Sequence, residues 1–437
     1  MEIPLSENQE WLCAFDKGYA EGAFGHRHLL VYGWRLLGEI DLEALRAALR
    51  DVVVRHEILR TALEPGVGGR HPVIHPPVDV PLTVRELPGD GSRDETTEDL
   101  LTDIEAGTYD VRELPHLRAV LGRFDSRDAV LVLVAHHIAT DALSMQVIVR
   151  DLAACYAART GRGDAPPAPA TQYQDFARWQ RNEAADPDVL AYWRDQLGGR
   201  SFTAIRTDRA GDGGDVTYAA HRFVLDAELT GRALALARAR RCTPFIVSLA
   251  AYYLLLRRVT GETDLVAATT SAGRHDDRFT DTVGPFYYLL PLRADLTGAR
   301  CLGDVVTAAR ATCLGAYMHD LTYRRIEREV PALGKPFADP SRAVVNFENL
   351  QPPEPMEGES VGGLRYQELR RRVRSQEITV DVPDGVLWAM ELLPSGELAG
   401  TIKYSTGHFD RTTITALVET YRELLHELAT NPDAPLD

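Results

Sequence analysis

The sequence predicts an α+β fold built from two domains or lobes. Helix-like and strand-like stretches alternate irregularly, and the strand-like segments 117–124 and 129–135 are joined by the short link DSRD, as in a hairpin. The pattern lacks the strict strand–helix–strand alternation that is typical of parallel α/β sheets. At 437 residues, the chain is also longer than one ordinary hydrophobic core supports.

The N-terminal half contains the clearest helix start. Asp41 is a plausible N-cap, and the apolar residues of 42–53 recur at helical spacing before the chain runs into RHEILRTAL, 55–63. After the predicted hairpin, a second helix is expected from about Ala142 to Ala158. The proline-rich stretch APPAPA, 165–170, has the composition of a linker.

The C-terminal half mixes both kinds of element. Helices are predicted at 171–180, 190–197, 229–258, 302–319 and 411–429, and strands at 265–270, 344–350, 385–393 and 398–405. The segment VGPFYYLLPLR, 283–293, carries Pro291, which ends regular pairing or marks an edge strand.

Charge and composition exclude several classes of function. The formal net charge of −16 argues against a nucleic-acid partner, because phosphate binding needs a basic surface. Five scattered cysteines without a CxxC pair argue against a disulfide framework or a thiolate zinc site. The start MEIPLSENQEW does not resemble a signal peptide, and the longest apolar run, 244–256, is too short to span a bilayer. We therefore expect a cytoplasmic protein without a membrane partner.

Two adjacent histidines end an apolar run in VLVLVAHHIATDALSM, 130–145. If His136 and His137 continue a strand, their side chains point to opposite faces, so they cannot both ligate one metal and at most one can face a substrate. Asp141 has two available roles, as the N-cap of the following helix or as the partner of a buried arginine. Taken alone, the stretch is more typical of core histidines and a helix cap than of a catalytic site, so it does not settle the function.

Other segments resemble a known family in the correct order. HHIATDALSM resembles the HHxxxDG signature of the condensation domains of nonribosomal peptide synthetases. Six further segments are similar to motifs of that family: PLSENQEWL (4–12), RHEILRTAL (55–63), YQDFARWQ (173–180), VGPFYYLLPLR (283–293), VVNFENL (344–350) and GTIKYSTGHFD (400–410). The resemblance extends over essentially the whole chain.

This resemblance implies a specific architecture and reaction. Two chloramphenicol-acetyltransferase-like lobes, at about 1–175 and 185–437, would form a V-shaped pseudo-dimer around a central tunnel. An acyl or aminoacyl group would arrive as a thioester on the phosphopantetheine of a carrier protein. It would be transferred to an amine or hydroxyl acceptor, with no cofactor or metal bound by this chain. Because no adenylation or thioesterase signature is found, we expect the carrier to be met in trans.

The resemblance also assigns residues. Imidazole, with an unperturbed pKa of ~6.5, is suited to accepting a proton near neutrality, so His137 is predicted as base or positioning group and His136 as the structural histidine. Asp141 is expected to pair with Arg60 or Arg293. A further group of residues is expected along the tunnel: Ala142, Ser144, Tyr288, Asn346 and Trp388. Two of them depart from the family pattern, since Ala142 replaces the motif glycine and Tyr288 stands where asparagine is usual.

Three alternatives remain open on the sequence. The chain could be a degenerate condensation fold that only recruits a partner enzyme, a transferase using coenzyme A thioesters, or an epimerase of the same fold. The acceptor could be a small free molecule or carrier-bound. Separately, the arginine-rich segment LRYQELRRRVR, 364–374, is interpreted as a solvated strand or as a docking surface for an acidic carrier or a phosphate.

Overall fold

The structure is a computed structural model that describes residues 3–20, 22–67, 69–164, 170–210, 217–349, 360–378 and 385–436. The proline-rich stretch predicted as a linker lies outside these ranges, apart from Ala170. The α-helices within these ranges are α1 Glu7–Ala14, α2 Leu42–Arg55, α3 Arg93–Glu105, α4 Ala142–Arg159, α5 Tyr173–Asn182, α6 Pro187–Leu197, α7 Ala227–Ala239, α8 Pro244–Thr260, α9 Leu302–Met318, α10 Tyr323–Glu329 and α11 Arg411–Thr430.

The strands of the described residues form one six-stranded sheet, one larger sheet and a small hairpin. They are β1 Leu29–Leu37, β2 Thr61–Gly66, β3 Gly69–Ile74, β4 Leu82–Glu86, β5 Leu117–Arg123, β6 Asp128–His136, β7 Ala204–Arg206, β8 Tyr218–Leu225, β9 Asp264–Ser271, β10 Tyr288–Asp295, β11 Arg342–Asn349, β12 Ser360–Val361, β13 Leu364–Glu368, β14 Gln376–Ile378, β15 Val386–Leu392 and β16 Leu398–Ser405. The α+β prediction is confirmed.

The first sheet has the strand order β12-β13-β1-β6-β5-β4 and carries the histidine pair at the end of its central strand. Every residue of β6 is buried, because both faces of the strand are covered. Leu131, Leu133 and Ala135 pack in the main core, which α2 and α4 share, whereas Val130 and Val132 pack with residues of α3. The predicted hairpin is confirmed as β5 and β6, which pair antiparallel.

The second sheet has the order β10-β9-β11-β15-β16-β8-β14, with β7 added beside β11. Helix α8 covers one face, where Tyr252 stacks on Phe347 with ring centroids 4.5 Å apart. Residues that alternate with Phe347 on β11, namely Asn346 and Glu348, therefore face the other way. Pro291 lies in β10, an edge strand, which confirms one of its two predicted roles.

Two strands from the C-terminal half complete the first sheet. β13 pairs antiparallel with β1, so that Trp34 faces Glu368, and β12 pairs with β13. The sheets therefore do not follow a simple division of the chain between residues 175 and 185. The predicted lobe boundaries stay a prediction.

The arginine-rich segment is solvated only in part, because Arg365, Arg371 and Arg374 are exposed whereas the side chains of Arg370 and Arg372 are largely buried. Arg370 pairs with Glu368, and Arg372 donates to both carboxylate oxygens of Glu105 on α3, at 3.0 and 3.1 Å. Arg222 of β8 donates to the same carboxylate at 2.7 Å. The segment instead joins the first half of the chain to the second through buried ion pairs.

Two predicted elements are wrong in their boundaries. The single helix expected at 229–258 is two helices, α7 and α8, because Thr243 caps a new helix whose first residue is Pro244. RHEILRTAL does not continue α2, since the helix ends at Arg55, a 3-10 turn occupies Glu57–Arg60, and β2 begins at Thr61.

No single helix in the described part of the chain is long and apolar enough to cross a membrane; one pair bent by 107°, Ala227–Ala239 with Pro244–Thr260, passes that test of length and composition only when taken together.

Candidate active site

His137 lies immediately after β6, between an aromatic ring from each half of the chain. Its ring centroid is 4.7 Å from that of His28 and 4.4 Å from that of Tyr287. Nδ1 lies 2.9 Å from the carbonyl oxygen of Thr140, an oxygen that can only accept. The proton of the neutral ring is therefore on Nδ1, and Nε2 keeps the lone pair of a base.

Burial keeps the His137 imidazole neutral. Loss of hydration, together with the nearby His28, lowers its pKa to about 3. At neutral pH the ring is thus available as a hydrogen-bond acceptor. A base this weak does not retain a proton, so it suits a relay that takes a proton and gives it up within one reaction.

His136 has no exposed surface and both of its nitrogens are used. Nε2 donates to the carbonyl oxygen of Gly25 at 2.9 Å, and Nδ1 accepts from the Ile138 amide at 3.3 Å. Burial, with His28 and His116 nearby, holds the pKa of His136 well below its usual value. These contacts are those of a structural residue, and the two rings occupy different surroundings, as strand geometry predicts.

Asp141 fulfils both of the roles that the sequence left open. It is the N-cap of α4, and its Oδ1 accepts from the Ser144 amide at 2.7 Å. The same oxygen accepts from Arg274 Nη2 at 3.0 Å, while Oδ2 accepts from the Phe286 amide at 3.0 Å. The carboxylate is therefore a buried junction between the start of α4 and the 272–287 loop.

The predicted arginine partners are wrong. Arg60 donates to Glu57 in its own turn and to the carbonyl oxygen of His75, just after β3. Arg293 pairs with Asp264 of the neighbouring strand β9. Both arginines satisfy acceptors close to their own strand or turn, and Arg274, 133 residues from Asp141 along the chain, takes the position instead.

Ser144 does not line an accessible wall, contrary to the tunnel prediction. It is fully buried, and its hydroxyl donates to the Gly284 carbonyl at 2.8 Å while accepting from the Gly284 amide at 3.0 Å and from Arg274 at 2.8 Å. Gly284 has no room for a side chain, since a Cβ would lie 1.9 Å from the Tyr173 ring. Ser144 therefore holds the two halves together beside His137.

Ala142 is the first residue of α4, directly after the cap. Among the described residues outside glycine, only Arg241 has a positive φ, so Ala142 is in a conformation that a Cβ permits. Alanine is the strongest helix former, and its replacement of the motif glycine needs no unusual turn. Its contact with substrate stays a prediction.

Trp388 is wrongly predicted in the tunnel. It is 1% exposed, its ring centroid lies 5.1 Å from that of Tyr421 on α11, and its Nε1 donates to Met390 Sδ. It belongs to the core between the second sheet and its helices. On β15 the residues on either side, Leu387 and Ala389, face the opposite direction.

Tyr288 is engaged by polar neighbours at the start of β10. Its hydroxyl lies 2.6 Å from His275 Nε2 and donates to Asp320 Oδ1 at 2.9 Å. Ser271 donates to the other oxygen of Asp320. With 5% of its surface exposed, Tyr288 is packed among these neighbours, and its contact with substrate along the tunnel stays a prediction.

Several residues of the site were not predicted. His28 and Tyr287 border the His137 ring, Arg274 holds Asp141, and Lys403 lies close enough to lower the pKa of His137. For Arg274 a signal existed: an arginine follows the buried strand β9 and precedes the VGPF segment, and buried arginines need acidic partners. Nothing in the sequence pattern indicated the other three.

Within the described residues, no group of three or more His, Cys, Asp or Glu side chains is arranged to hold a metal ion. The histidines around His136 instead bond to backbone carbonyl oxygens.

The sequence and the fold were compared with those of known proteins. A model of the condensation domain matches residues 2–437.

The chain belongs to the condensation domain family. Members of this family are generally acyltransferases, and its relatives include nonribosomal peptide synthetases. The chain is 32% identical over 99% of its length to CymA of Salinispora arenicola, described as a probable non-canonical nonribosomal peptide synthetase. It is 30% identical over 90% of its length to the phosphinothricin tripeptide synthetase PhsC of Streptomyces viridochromogenes. It spans only 6% of the first relative and 36% of the second.

Two solved structures extend the comparison. SgcC5 from Streptomyces globisporus is 42% identical, with a TM-score of 0.95 over 99% of this condensation domain and 100% of that chain. It was crystallised with (R)-(-)-1-(2-naphthyl)-1,2-ethanediol and sucrose. The X-domain from teicoplanin biosynthesis is 25% identical, with a TM-score of 0.76 over 99% of this chain and 96% of its own.

Proposed function

We propose that this condensation domain transfers an acyl group from a phosphopantetheine thioester on a carrier protein to a hydroxyl of an aromatic vicinal diol, forming an ester. The observation that carries the proposal is the likeness to SgcC5, which binds an aryl ethanediol and matches this chain almost end to end. The family relation supports the carrier-bound thioester as donor.

The chemistry follows from the state of His137. The diol oxygen attacks the thioester carbonyl, the C–O bond forms, and the C–S bond breaks. The hydroxyl proton passes to His137 Nε2 and then to the departing thiolate, so the ring ends as it began. No covalent enzyme intermediate is needed, because a thioester is already an activated acyl donor.

Positioning of the two reactants accounts for much of the rate enhancement. Holding reactants in line lowers a barrier by roughly 7–11 kcal/mol, whereas acid–base help gives about 10²- to 10⁴-fold. The Asp141 junction serves this end, since it fixes the start of α4 and the loop that carries Tyr287 on either side of His137. In this proposal the phosphopantetheine belongs to the carrier protein.

The test compares donors and acceptors in one turnover assay with product detected by mass. The same acyl group is presented on a carrier protein and on coenzyme A, with 1-phenyl-1,2-ethanediol and the matching amino alcohol as acceptors. Ester formation from the carrier-bound donor and the diol supports the proposal. Equal use of coenzyme A favours the general acyltransferase alternative, and amide as the main product contradicts the ester assignment.

A second function has one observation in its favour. The teicoplanin X-domain, a related fold, was solved as a complex with OxyB, so a condensation fold can hold another protein. Absence of product from every donor, with folded protein, would overturn the transferase proposal and favour such a recruiting role. The hydrogen bond that sets the His137 tautomer argues against it, because a platform needs no base.

A further inference from the structure

Another imidazole, that of His28, lies directly beside the His137 ring. His28 is the residue before β1, and β1 pairs antiparallel with β6 so that Leu29 faces His136. One further step of this register places His28 opposite His137, whose amide donates to the His28 carbonyl oxygen at 3.0 Å. Opposed residues of an antiparallel pair project their side chains to the same face, where they meet. The two ring centroids are 4.7 Å apart, and the ring planes differ by 30°.

The loop before β1 fixes the His28 ring. Nδ1 lies 3.1 Å from the carbonyl oxygen of Ala23, which can only accept, so the proton of the neutral ring is on Nδ1. Arg70 of β3 holds this loop, because its guanidinium carbon lies 3.9 Å from the Phe24 ring centroid and it forms an ion pair with Asp16. With 5% of its surface exposed, His28 is buried in this position.

The direction of the His137 ring depends on its neighbours. The second side-chain torsion of a histidine has a broad energy well, so the single hydrogen bond to the Thr140 carbonyl does not by itself fix the ring plane. The rings of His28 and Tyr287, with centroids at 4.7 and 4.4 Å, restrict that rotation. Of the two, His28 is the one whose position is set by pairing with the strand that leads to His137.

The His28 ring also keeps water away from His137. Burial is the main cause of the low pKa of His137, and repulsion from His28 is the second. Both favour the neutral ring, which is the form that accepts a proton from an attacking hydroxyl. An aromatic ring without nitrogens at position 28 would retain the first cause and remove the second.

We infer that His28 is a positioning residue of the transfer reaction, which by stacking on His137 holds Nε2 of that imidazole toward the incoming acceptor. The inference rests on the proposed function and deepens it, because it assigns the alignment of the base to a residue outside the histidine motif. His28 acts through His137 and needs no contact with either substrate. Its stacked ring, more than its nitrogens, therefore carries the effect on rate.

The test replaces His28 by alanine, which removes the ring, and by phenylalanine, which keeps a ring. In transfer from the carrier to 1-phenyl-1,2-ethanediol, we expect His28→Ala to lower kcat by roughly ten- to a hundredfold, the cost of a misaligned reacting group, with little change in KM for the diol. His28→Phe should recover most of the lost kcat. Both variants lose the bond to the Ala23 carbonyl, so lost stability alone predicts equal kcat in the two.

A second readout does not depend on turnover. With isotopically labelled histidine nitrogens, the NMR signals of the His137 ring are identified by their loss in His137→Ala. They should show a proton on Nδ1 alone in wild type and His28→Phe, and a mixture of the two neutral tautomers in His28→Ala. His116→Ala is the control, since that fully buried ring bonds to the Thr61 carbonyl and neighbours His136, at 6.3 Å between centroids. It should keep the wild-type kcat and tautomer.

Wild-type kcat in folded His28→Ala overturns the inference, as does His28→Phe that is no faster than His28→Ala. An unchanged His137 tautomer in His28→Ala overturns it as well, and so does a loss confined to KM, which would assign His28 to substrate binding. If His28→Ala does not fold, His28→Leu takes its place, because it fills volume without a flat ring. If wild type forms no ester with the diol, the proposed function fails, and the tautomer measurement still decides the role of His28.

Discussion

At the level of single residues, the two histidines differ in how many of their ring nitrogens are hydrogen-bonded within the protein. His136 uses both ring nitrogens inside the protein, whereas His137 uses Nδ1 and keeps Nε2 as a base. We expect His137→Ala to lose about 10²- to 10⁴-fold in kcat with little change in the free energy of unfolding. We expect His136→Ala to lower the free energy of unfolding by roughly 1–3 kcal/mol, because the substitution leaves buried backbone groups without their hydrogen-bond partner.

The measurement is single-turnover ester formation together with urea unfolding of each variant. Full activity in folded His137→Ala would remove its catalytic role. Wild-type stability in His136→Ala would show that its hydrogen bonds are replaceable by water.

Asp141 and Arg274 form the other residue-level pair. Their side chains are 6% and 7% exposed, so removing one partner leaves the other charge buried. We expect Asp141→Ala and Arg274→Ala each to cost about 3–5 kcal/mol in unfolding free energy, and the double variant to cost clearly less than their sum.

Arg232 and Glu228, four residues apart on the exposed side of α7, provide a matched control for this double-mutant cycle. There the coupling should be about 0.3–0.5 kcal/mol. Additive effects for Asp141 and Arg274 would mean that the cap and the Phe286 contact, rather than the ion pair, carry the role of Asp141.

These residues also show what the sequence could predict. Strand periodicity separated the two histidines, and the position of Asp141 before a helix indicated a cap. The identity of its arginine was out of reach, because 133 residues of chain separate the partners and only the folded path brings them together. The prediction for Trp388 was wrong for a related reason. Leu387 and Ala389, on the opposite face of β15, are apolar as well, so periodicity did not show which face of the strand packs against the helices and which faces the tunnel.

At the level of elements, the contact between α4, α5 and the 272–287 loop sets the geometry around His137. Gly284 is fixed by two hydrogen bonds to Ser144, and a Cβ there would meet the Tyr173 ring at 1.9 Å. Since its φ is not positive, the cost of a side chain arises from this contact and not from backbone strain. We expect Gly284→Ala to lower the free energy of unfolding by roughly 1–3 kcal/mol.

Gly298 offers the control, since a Cβ at that glycine meets nothing within 4 Å and its φ is not positive. Gly298→Ala should unfold at the wild-type urea concentration. If Gly284→Ala behaves in the same way, the loop can move away from Tyr173, and the junction is less rigid than the structure indicates.

At the level of the whole molecule, buried polar contacts join the two halves in addition to the apolar core that they share. The Asp141–Arg274 pair lies at one position, and Glu105 with Arg222 and Arg372 lies at another. In addition, β12 and β13 add two strands from the second half to the first sheet. Arg370 and Arg372, which belong to the arginine run that the sequence suggested as a docking surface, are thereby held in internal ion pairs. Strand crossover, and not composition, determines this.

Buried histidines make the whole molecule sensitive to acid. Burial lowers the pKa of His116 to about 4 and that of His137 to about 3, and also lowers those of His56 and His136. In the unfolded chain each titrates near ~6.5. As pH falls below that value the unfolded chain binds protons first, so the stability that is complete above about pH 6.5 is lost progressively toward pH 4.

We expect urea unfolding at pH 7, 6 and 5 to show a decline to which each such histidine contributes at most about 1.4 kcal/mol per pH unit. His116 is the residue to test, because it is fully buried and bonds through Nε2 to the Thr61 carbonyl, which a glutamine amide can also reach. His116→Gln should flatten the pH dependence, whatever its effect at pH 7. His426→Gln, on the exposed side of α11, should leave the slope unchanged. A slope that stays the same in His116→Gln would assign the acid sensitivity to the carboxylates instead.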